Sequence, residues 1–433
     1  TRHLTPHPPY LQTLTMDRWA FRFLLFYIVI LCVQPQNRFT FLHPLQIADL
    51  TIVGAIGMHF LSHQQAGRSF IRPGPATISA ILLLLFGFIS LHTGAMQTSS
   101  AWNGDIDIIM KNGLVLILVE AMATTVRRVW AVQATLFFSV LWWIKGGLRL
   151  SSAGATYAGD RLMGPTVSLI ENPNGFAYLL TLMIPIYLYF YQHSGRKWIS
   201  WASLACALAS VYIVMETGSR TGLVALLAAG AFLIPKYAAR HKLTLAVGAV
   251  ALYYIMSIVS PGNIERFKTI PQQAKIFLSG GGEDDPIPED EKDPLSMTQD
   301  EQSAWERRMK KKQTWALIQD YPVFGVGVHA DDSLVKEKYP YATGQVHNEI
   351  LYAGKQMGYI GMAIYTSFII AMFYSGWMTQ RRMKKEWPAI ADLGWTFKMQ
   401  AVVVMAGGFF SPLPWNPISM ILAGSASALL LNL

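Results

Sequence analysis

His347 is the side chain in this sequence best suited to acid–base chemistry. It lies in the run Gln345-Val346-His347-Asn348-Glu349, where a long polar segment ends and an apolar stretch begins. A helix N-terminus there disfavours a protonated imidazole, so His347 would stay neutral near pH 7 and accept a proton from a hydroxyl group. Asn348 or Glu349 would orient the ring. The competing interpretation is a histidine that only caps the helix.

Two arginines have surroundings suited to binding phosphate. Arg161 precedes the block Asn172-Pro173-Asn174-Gly175, and Arg220 lies in the turn Gly218-Ser219-Arg220-Thr221-Gly222 at the start of a predicted helix. A guanidinium binds phosphate through two parallel hydrogen bonds, and a helix N-terminus adds backbone N–H groups. Either arginine could instead reach lipid headgroups. Lys145 and Arg149 could form a second cationic ring or simply anchor a span.

A basic run, Arg307-Arg308-Met309-Lys310-Lys311-Lys312, follows an acidic stretch of the polar segment. We expect it to steer phosphate groups or to lie on an anionic membrane surface, while most of its members could simply be solvated. The pair Asp105 and Asp107 has the ligand type for a divalent cation. Two carboxylates are too short a pattern to be specific, so we treat the pair as structural and predict no metal.

The elements that must position these residues are membrane helices. Hydrophobic residues make up 52% of the 433 residues and charged residues only 14%, with a mean hydropathy of +0.31. Apolar stretches able to cross a ~30 Å hydrocarbon core recur along the chain, and each must be helical in lipid. Twelve spans are predicted, at residues 19–36, 44–62, 74–97, 106–124, 127–147, 173–192, 198–216, 220–236, 242–259, 346–375, 394–411 and 415–433.

The loops between the spans differ in charge. One alternate set holds thirteen cations, namely Arg68, Arg72, Arg127, Arg128, Arg196, Lys197, Lys236, Arg240, Lys242, Arg381, Arg382, Lys384 and Lys385. The short loops of the other set hold five, namely Arg38, Lys145, Arg149, Arg161 and Arg220. Because Lys and Arg are retained in the cytoplasm, the first set is predicted to be cytoplasmic. Arg161, Arg220 and the long polar loop then face outward, which favours a site for an anionic lipid-linked substrate.

This pattern predicts four regions. Residues 1–18 form a flexible lead-in, 19–259 the first nine spans, 260–345 a long outer loop with short helices, and 346–433 the last three spans. Within the loop, residues 280–302 are predicted to be flexible and 303–320 helical, with a turn at Tyr321-Pro322.

Several classes of function are excluded by composition. The net charge of +9 reflects cytoplasmic loops and indicates no nucleic-acid partner. The two cysteines, Cys32 and Cys206, fall within spans and predict neither a disulfide framework nor a zinc site. The sequence has no phosphate-binding loop and no dinucleotide fingerprint, so no nucleotide cofactor is expected.

Taken together, the motifs resemble the O-antigen ligase/polymerase family of bacterial envelope enzymes. The resemblance covers the span layout, the two arginine motifs, Trp315 with Pro322-Val323-Phe324-Gly325-Val326-Gly327, and His347-Asn348-Glu349-Ile350-Leu351. The last two blocks are the most specific. The family's fold is all-α and similar to that of the C-type membrane glycosyltransferases. Where the family tends to have an arginine shortly before the tryptophan, this chain has the basic run, of which Arg308 and Lys311 are the chosen candidates.

The resemblance implies transfer of O-antigen polysaccharide from undecaprenyl pyrophosphate to lipid A-core at the periplasmic face of the bacterial inner membrane. It implies that His347 is the catalytic base and that Arg161 and Arg220 bind pyrophosphate, without metal or ATP. We expect a monomer surrounded by membrane lipids. The alternatives are an O-antigen polymerase, a protein O-glycan ligase and, from another class, a polysaccharide transporter or flippase.

Overall fold

Each apolar run of the sequence forms a helix, as the lack of water in a bilayer requires of its backbone groups. The computed structural model describes residues 15–37, 39–67, 69–96, 105–154, 156–157, 161–165, 170–240, 242–268, 299–328, 330–411 and 415–433. Arg38, Arg68, residues 1–14 of the predicted lead-in and residues 280–298 of the predicted flexible segment lie outside these ranges. The last lead-in residues are helical rather than flexible, because the first helix begins at Thr15.

The elements follow in chain order. The helices before the long polar segment are α1 Thr15–Val33, α2 Ile47–Gln65, α3 Pro75–Thr93, α4 Asp105–Met122, α5 Val126–Ser152, α6 Pro173–His193, α7 Lys197–Glu216, α8 Arg220–Arg240 and α9 Lys242–Ile258. Those within and after it are α10 Pro261–Lys268, α11 Gln299–Asp320, α12 Asp332–Lys338, α13 Glu349–Met383, α14 Pro388–Gly408 and α15 Pro417–Leu431. The short strands β1 Thr156–Tyr157 and β2 Arg161–Leu162 pair antiparallel, so the fold is helical with one small hairpin.

Seven helical segments of the described chain are long and apolar enough to cross a membrane. They are Thr40–Gln65, Pro75–Thr93, Val126–Ser152, Pro173–His193, Lys197–Glu216, Glu349–Met383 and Pro388–Gly408. This confirms a polytopic membrane protein. The other predicted spans fall on α1, α4, α8, α9 and α15, and the total of twelve stays a prediction.

Helix α6 lies at the centre of the bundle. Its membrane-spanning window is 89% buried, the largest share among the seven segments, and it packs against α7, α8 and α14. Asn172 caps its start by accepting a hydrogen bond from the Asn174 backbone N–H at 2.8 Å, and Pro173 occupies the first turn. The Asn-Pro-Asn block therefore determines where the central helix begins and places Asn174 in its first turn.

Helix α13 is broken near its start, which the prediction of one span over 346–375 did not include. Met357 and Gly358 have non-helical backbone angles and divide an eight-residue half-helix from the long remainder. The turn after α11 satisfies the freed groups: Val326 N–H donates to Lys355 O at 2.9 Å and Tyr359 N–H to Pro322 O at 2.8 Å.

Glycine is required at this junction. Gly325 has φ +66°, and a Cβ there would lie 2.5 Å from Lys355 O. The Pro322–Gly327 block therefore packs against and stabilises the half-helix that begins just after His347.

Candidate functional site

His347 lies immediately before the half-helix and among cations. Its pKa is lowered to about 3, first because burial removes water from the ring and second because Arg307, Lys310 and Lys311 repel an added proton. The Nδ1 atom is buried and has no hydrogen-bond partner among the described residues. The ring is therefore neutral, with a buried nitrogen beside three positive charges, and the causes are burial and cations rather than the helix N-terminus.

The cations belong to one face of α11. Arg307, Lys310, Lys311 and Thr314 recur at helical spacing, and Leu317 and Ile318 continue the same face into a buried hydrophobic cluster. Because Leu317 and Ile318 are buried, the cations on the same face of α11 also point inward. Burial first and the positive charge of Arg307 second lower the pKa of Lys311 to about 8.

The inward arginine is Arg307, whereas the sequence interpretation chose Arg308. Arg308 is exposed, and its charge is not among those that act on His347. The phase of Leu317 and Ile318 along the helix is the signal that would have found Arg307.

Asn174 joins the two segments that carry the predicted arginines. Its side-chain oxygen accepts from Arg161 Nη2 at 2.8 Å and from Ser219 Oγ at 2.9 Å. Arg161 Nε also donates to the Thr217 carbonyl at 3.0 Å. β2, the start of α6 and the turn before α8 are therefore held together through one amide, a role that the sequence did not single out.

Helix α10 packs against the turn that precedes Arg220 through the side chain of Asn263. Gly218 adopts φ +57°, and a Cβ there would lie 2.2 Å from the side-chain oxygen of Asn263. Asn263 is fully buried and donates to the Glu216 carbonyl at 2.8 Å. A glycine is needed at 218 for both its backbone angle and this close approach.

Phe410, just after α14, connects the Arg220 turn to the cations of α11. Thr221 Oγ1 donates to the Phe410 carbonyl at 2.9 Å, and Lys311 Nζ lies 5.2 Å from the centre of the Phe410 ring. Arg220 itself is the first residue of α8 and is 9% exposed. The Arg220 turn and the cationic face of α11 thus border the same residue.

The two residues after His347 have structural partners. Asn348 caps α13 by accepting from the Leu351 backbone N–H at 3.0 Å. Glu349 is fully buried and accepts a hydrogen bond from the Tyr365 hydroxyl. Because His347 Nδ1 has no partner among the described residues, neither side chain orients the ring through that nitrogen, and an orienting role for either residue stays a prediction.

The remaining candidates have ordinary roles. Asp107 pairs with Lys111 at 3.0 Å, and no group of three potential metal ligands occurs in the described part of the chain. Lys145 Nζ lies 5.5 Å from the Trp142 ring centre, which fits an anchor of α5.

The comparison with known families agrees with this arrangement. Residues 204–366 match the family model described as O-antigen ligase, and residues 10–195 match a family of unknown function. No individual curated protein matches the chain. The O-antigen ligase match contains the Arg220 turn, the inward face of α11 and His347, while Arg161 and Asn174 lie in the other matched segment. The match therefore identifies residues 204–366 as an O-antigen ligase domain, within a polytopic helical membrane protein.

Proposed function

We propose that the protein transfers O-antigen polysaccharide from undecaprenyl pyrophosphate to a hydroxyl group of lipid A-core, at the periplasmic face of a bacterial inner membrane. The observation that carries the proposal is the neutral His347, with a buried Nδ1 that lacks a partner among the described residues, beside the inward cations of α11. A neutral imidazole can take a proton, and the cations can receive a pyrophosphate.

The step balances without further reactants. The acceptor hydroxyl oxygen forms a bond to the anomeric carbon, and its proton passes to His347. The bond from that carbon to the pyrophosphate oxygen breaks, and its electron pair stays on the leaving oxygen. Attack from the face opposite the pyrophosphate inverts the anomeric configuration. Arg220, Arg307 and Lys311 stabilise the charge that grows on the leaving group, and stabilisation of that charge lowers the barrier.

Part of the role of Arg161 in this scheme is to hold other residues in position. Two of its N–H groups hold Asn174 and the Thr217 carbonyl, so its guanidinium fixes the turn that carries Arg220. Its positive charge still contributes to the field at the turn. We therefore assign Arg161 to both pyrophosphate binding and positioning.

The low pKa of His347 has a consequence for the order of events. A base of pKa about 3 accepts a proton poorly near pH 7. A bound pyrophosphate would offset the charges of Arg307, Lys310 and Lys311 and raise that pKa. His347 would then become an effective base only with the donor in place.

Two rivals use the same chemistry. An O-antigen polymerase would take a second lipid-linked chain as acceptor, and a protein O-glycan ligase would take a protein hydroxyl. A transporter would instead show broken helices and ionisable groups near the middle of the bilayer. The break in α13 lies only eight residues from its start, roughly 12 Å along the axis. The polar groups gather at that same end, which favours an enzyme.

The lipopolysaccharide of a deletion strain distinguishes these candidates. A ligase predicts loss of all polysaccharide-capped bands while polymer linked to undecaprenyl pyrophosphate accumulates. Caps of a single repeat would indicate a polymerase, and unchanged bands would contradict both.

Transfer between purified donor and acceptor in detergent should persist in EDTA. Activity that is lost in EDTA and restored by Mg²⁺ or Mn²⁺ would contradict the metal-free mechanism.

A further inference from the structure

Thr314 has a fully buried hydroxyl whose oxygen lacks a hydrogen-bond partner among the described residues. Burial of a hydroxyl without a partner is costly, so a ligand that supplies the missing hydrogen bond is favoured there. Thr314 lies one turn after Lys310 and Lys311 on the inward face of α11.

The Thr314 hydroxyl, like those of Thr77 and Thr379, makes no hydrogen bond to its own helix in the described part of the chain. Six other helical threonines donate to the carbonyl four residues earlier, namely Thr51, Thr93, Thr135, Thr181, Thr366 and Thr396. Thr314 does not donate to Lys310 in this way, so its Oγ1 is not occupied by its own helix.

We propose that Thr314 is a further binding residue of the same site, with its hydroxyl donating to a phosphate oxygen of the pyrophosphate donor. This inference rests on the proposed function, because the anion held by Arg307 and Lys311 is the ligand that completes the hydroxyl. A hydrogen bond to a charged oxygen is stronger than one to a neutral group. Loss of the hydroxyl should therefore weaken pyrophosphate binding about 10-fold or more.

Thr314→Val is the informative variant because valine has the same shape and lacks only the hydroxyl. If the hydroxyl has no partner in the free protein, valine should raise the unfolding temperature while it weakens pyrophosphate binding. A purely structural hydroxyl would instead lower that temperature or leave binding unchanged. Thr314→Ser keeps the donor and should bind within a few-fold of the wild type. Thr314→Ala removes the same hydroxyl and replaces valine if the valine variant does not fold.

Thr379 supplies a matched control. It is also fully buried, and its Oγ1 has no hydrogen-bond partner in the described part of the chain. It follows Glu349 by thirty residues of α13, roughly 45 Å of helix, and packs against Gly394. Thr379→Val should change stability in the same direction and leave pyrophosphate binding unchanged.

The experiment titrates inorganic pyrophosphate into the purified full chain in detergent by calorimetry, with thermal unfolding of each variant. Weaker binding in Thr314→Val, but not in Thr314→Ser or Thr379→Val, supports the inference. Wild-type affinity in Thr314→Val, or equal losses in both valine variants, overturns it and leaves the proposed function intact. If the wild-type protein binds no pyrophosphate, both the Thr314 assignment and the anion site of the proposed function fail.

Discussion

The guanidinium of Arg161 donates to the side-chain oxygen of Asn174 at 2.8 Å, across the gap between the hairpin and the start of the central helix α6. The same oxygen accepts from Ser219, the residue before Arg220. Two positive charges in different segments are therefore held at a fixed separation through one amide. Such preorganisation lets the charges act on a leaving group without rearrangement during the reaction.

Replacing Asn174 by alanine should loosen this arrangement. Arg161 and Ser219 would each lose a buried acceptor, at a cost of about 1–3 kcal/mol in the free energy of unfolding. Pyrophosphate affinity and turnover should fall together. The matched control is Asn432→Ala: Asn432 also accepts from an arginine, Arg72 at 3.1 Å, but belongs to the predicted cytoplasmic side. It should lower stability without changing affinity, and equal affinity losses in both variants would contradict a specific role for Asn174.

Arg307 and Arg308 offer a comparison of adjacent arginines. Arg307 acts on His347 and Arg308 is exposed. Arg307→Gln should weaken donor binding and raise the pKa of His347, because one of three repelling charges is removed. Arg308→Gln should leave both nearly unchanged. Calorimetric titration with pyrophosphate and the NMR titration of the His347 ring measure the two effects, and a larger effect from Arg308 would reverse the assignment.

Lys311 should give donor binding a dependence on alkaline pH. Its pKa is lowered to about 8 by burial and by Arg307, so it loses its charge as the pH rises through that value. Affinity for pyrophosphate should therefore fall above about pH 8, beyond any change due to the ligand itself. Lys311→Arg keeps its charge and should abolish this extra decline. An identical alkaline profile for the two proteins would show that Lys311 does not contact the anion.

Local patterns predicted a large part of this structure. The hydropathy runs located the helices, and Pro322 marked the end of α11 because proline cannot continue a helix. The position of His347 at a helix start followed from the junction of polar and apolar residues. These features depend on neighbours in the sequence.

The remaining features depend on contacts between distant segments. Gly358 alone does not predict a broken helix, because a glycine inside a helical pattern is tolerated and the break here is stabilised by residues of the preceding turn. The bonds of Asn174 join residues up to 45 positions apart. The inward position of Arg307 was not singled out because it depends on the packing of Leu317 and Ile318 against other elements, although their phase along α11 points to the same face.

The orientation of the chain can be tested with single cysteines. Lys338 is exposed and pairs with Asp320 at the end of α11, and Lys384 follows the C-terminal end of α13. In a protein whose Cys32 and Cys206 are replaced by alanine, Lys338→Cys should react with a membrane-impermeant maleimide from the periplasmic side. Lys384→Cys should react only from the cytoplasmic side. Labelling of both from one side would contradict the proposed topology.

The central claim is that His347 is the base beside a pyrophosphate site, and single-turnover transfer by His347→Ala tests it most directly. Purified donor and acceptor would be mixed with folded wild-type or variant protein, and pyrophosphate affinity would be measured on the same samples. The account predicts a rate lower by about 10²–10⁴-fold, the range for a lost acid–base group, with pyrophosphate affinity equal to or slightly above that of the wild type. A variant that keeps a near wild-type rate would contradict the assignment of the base and leave the buried Glu349 as the nearest alternative.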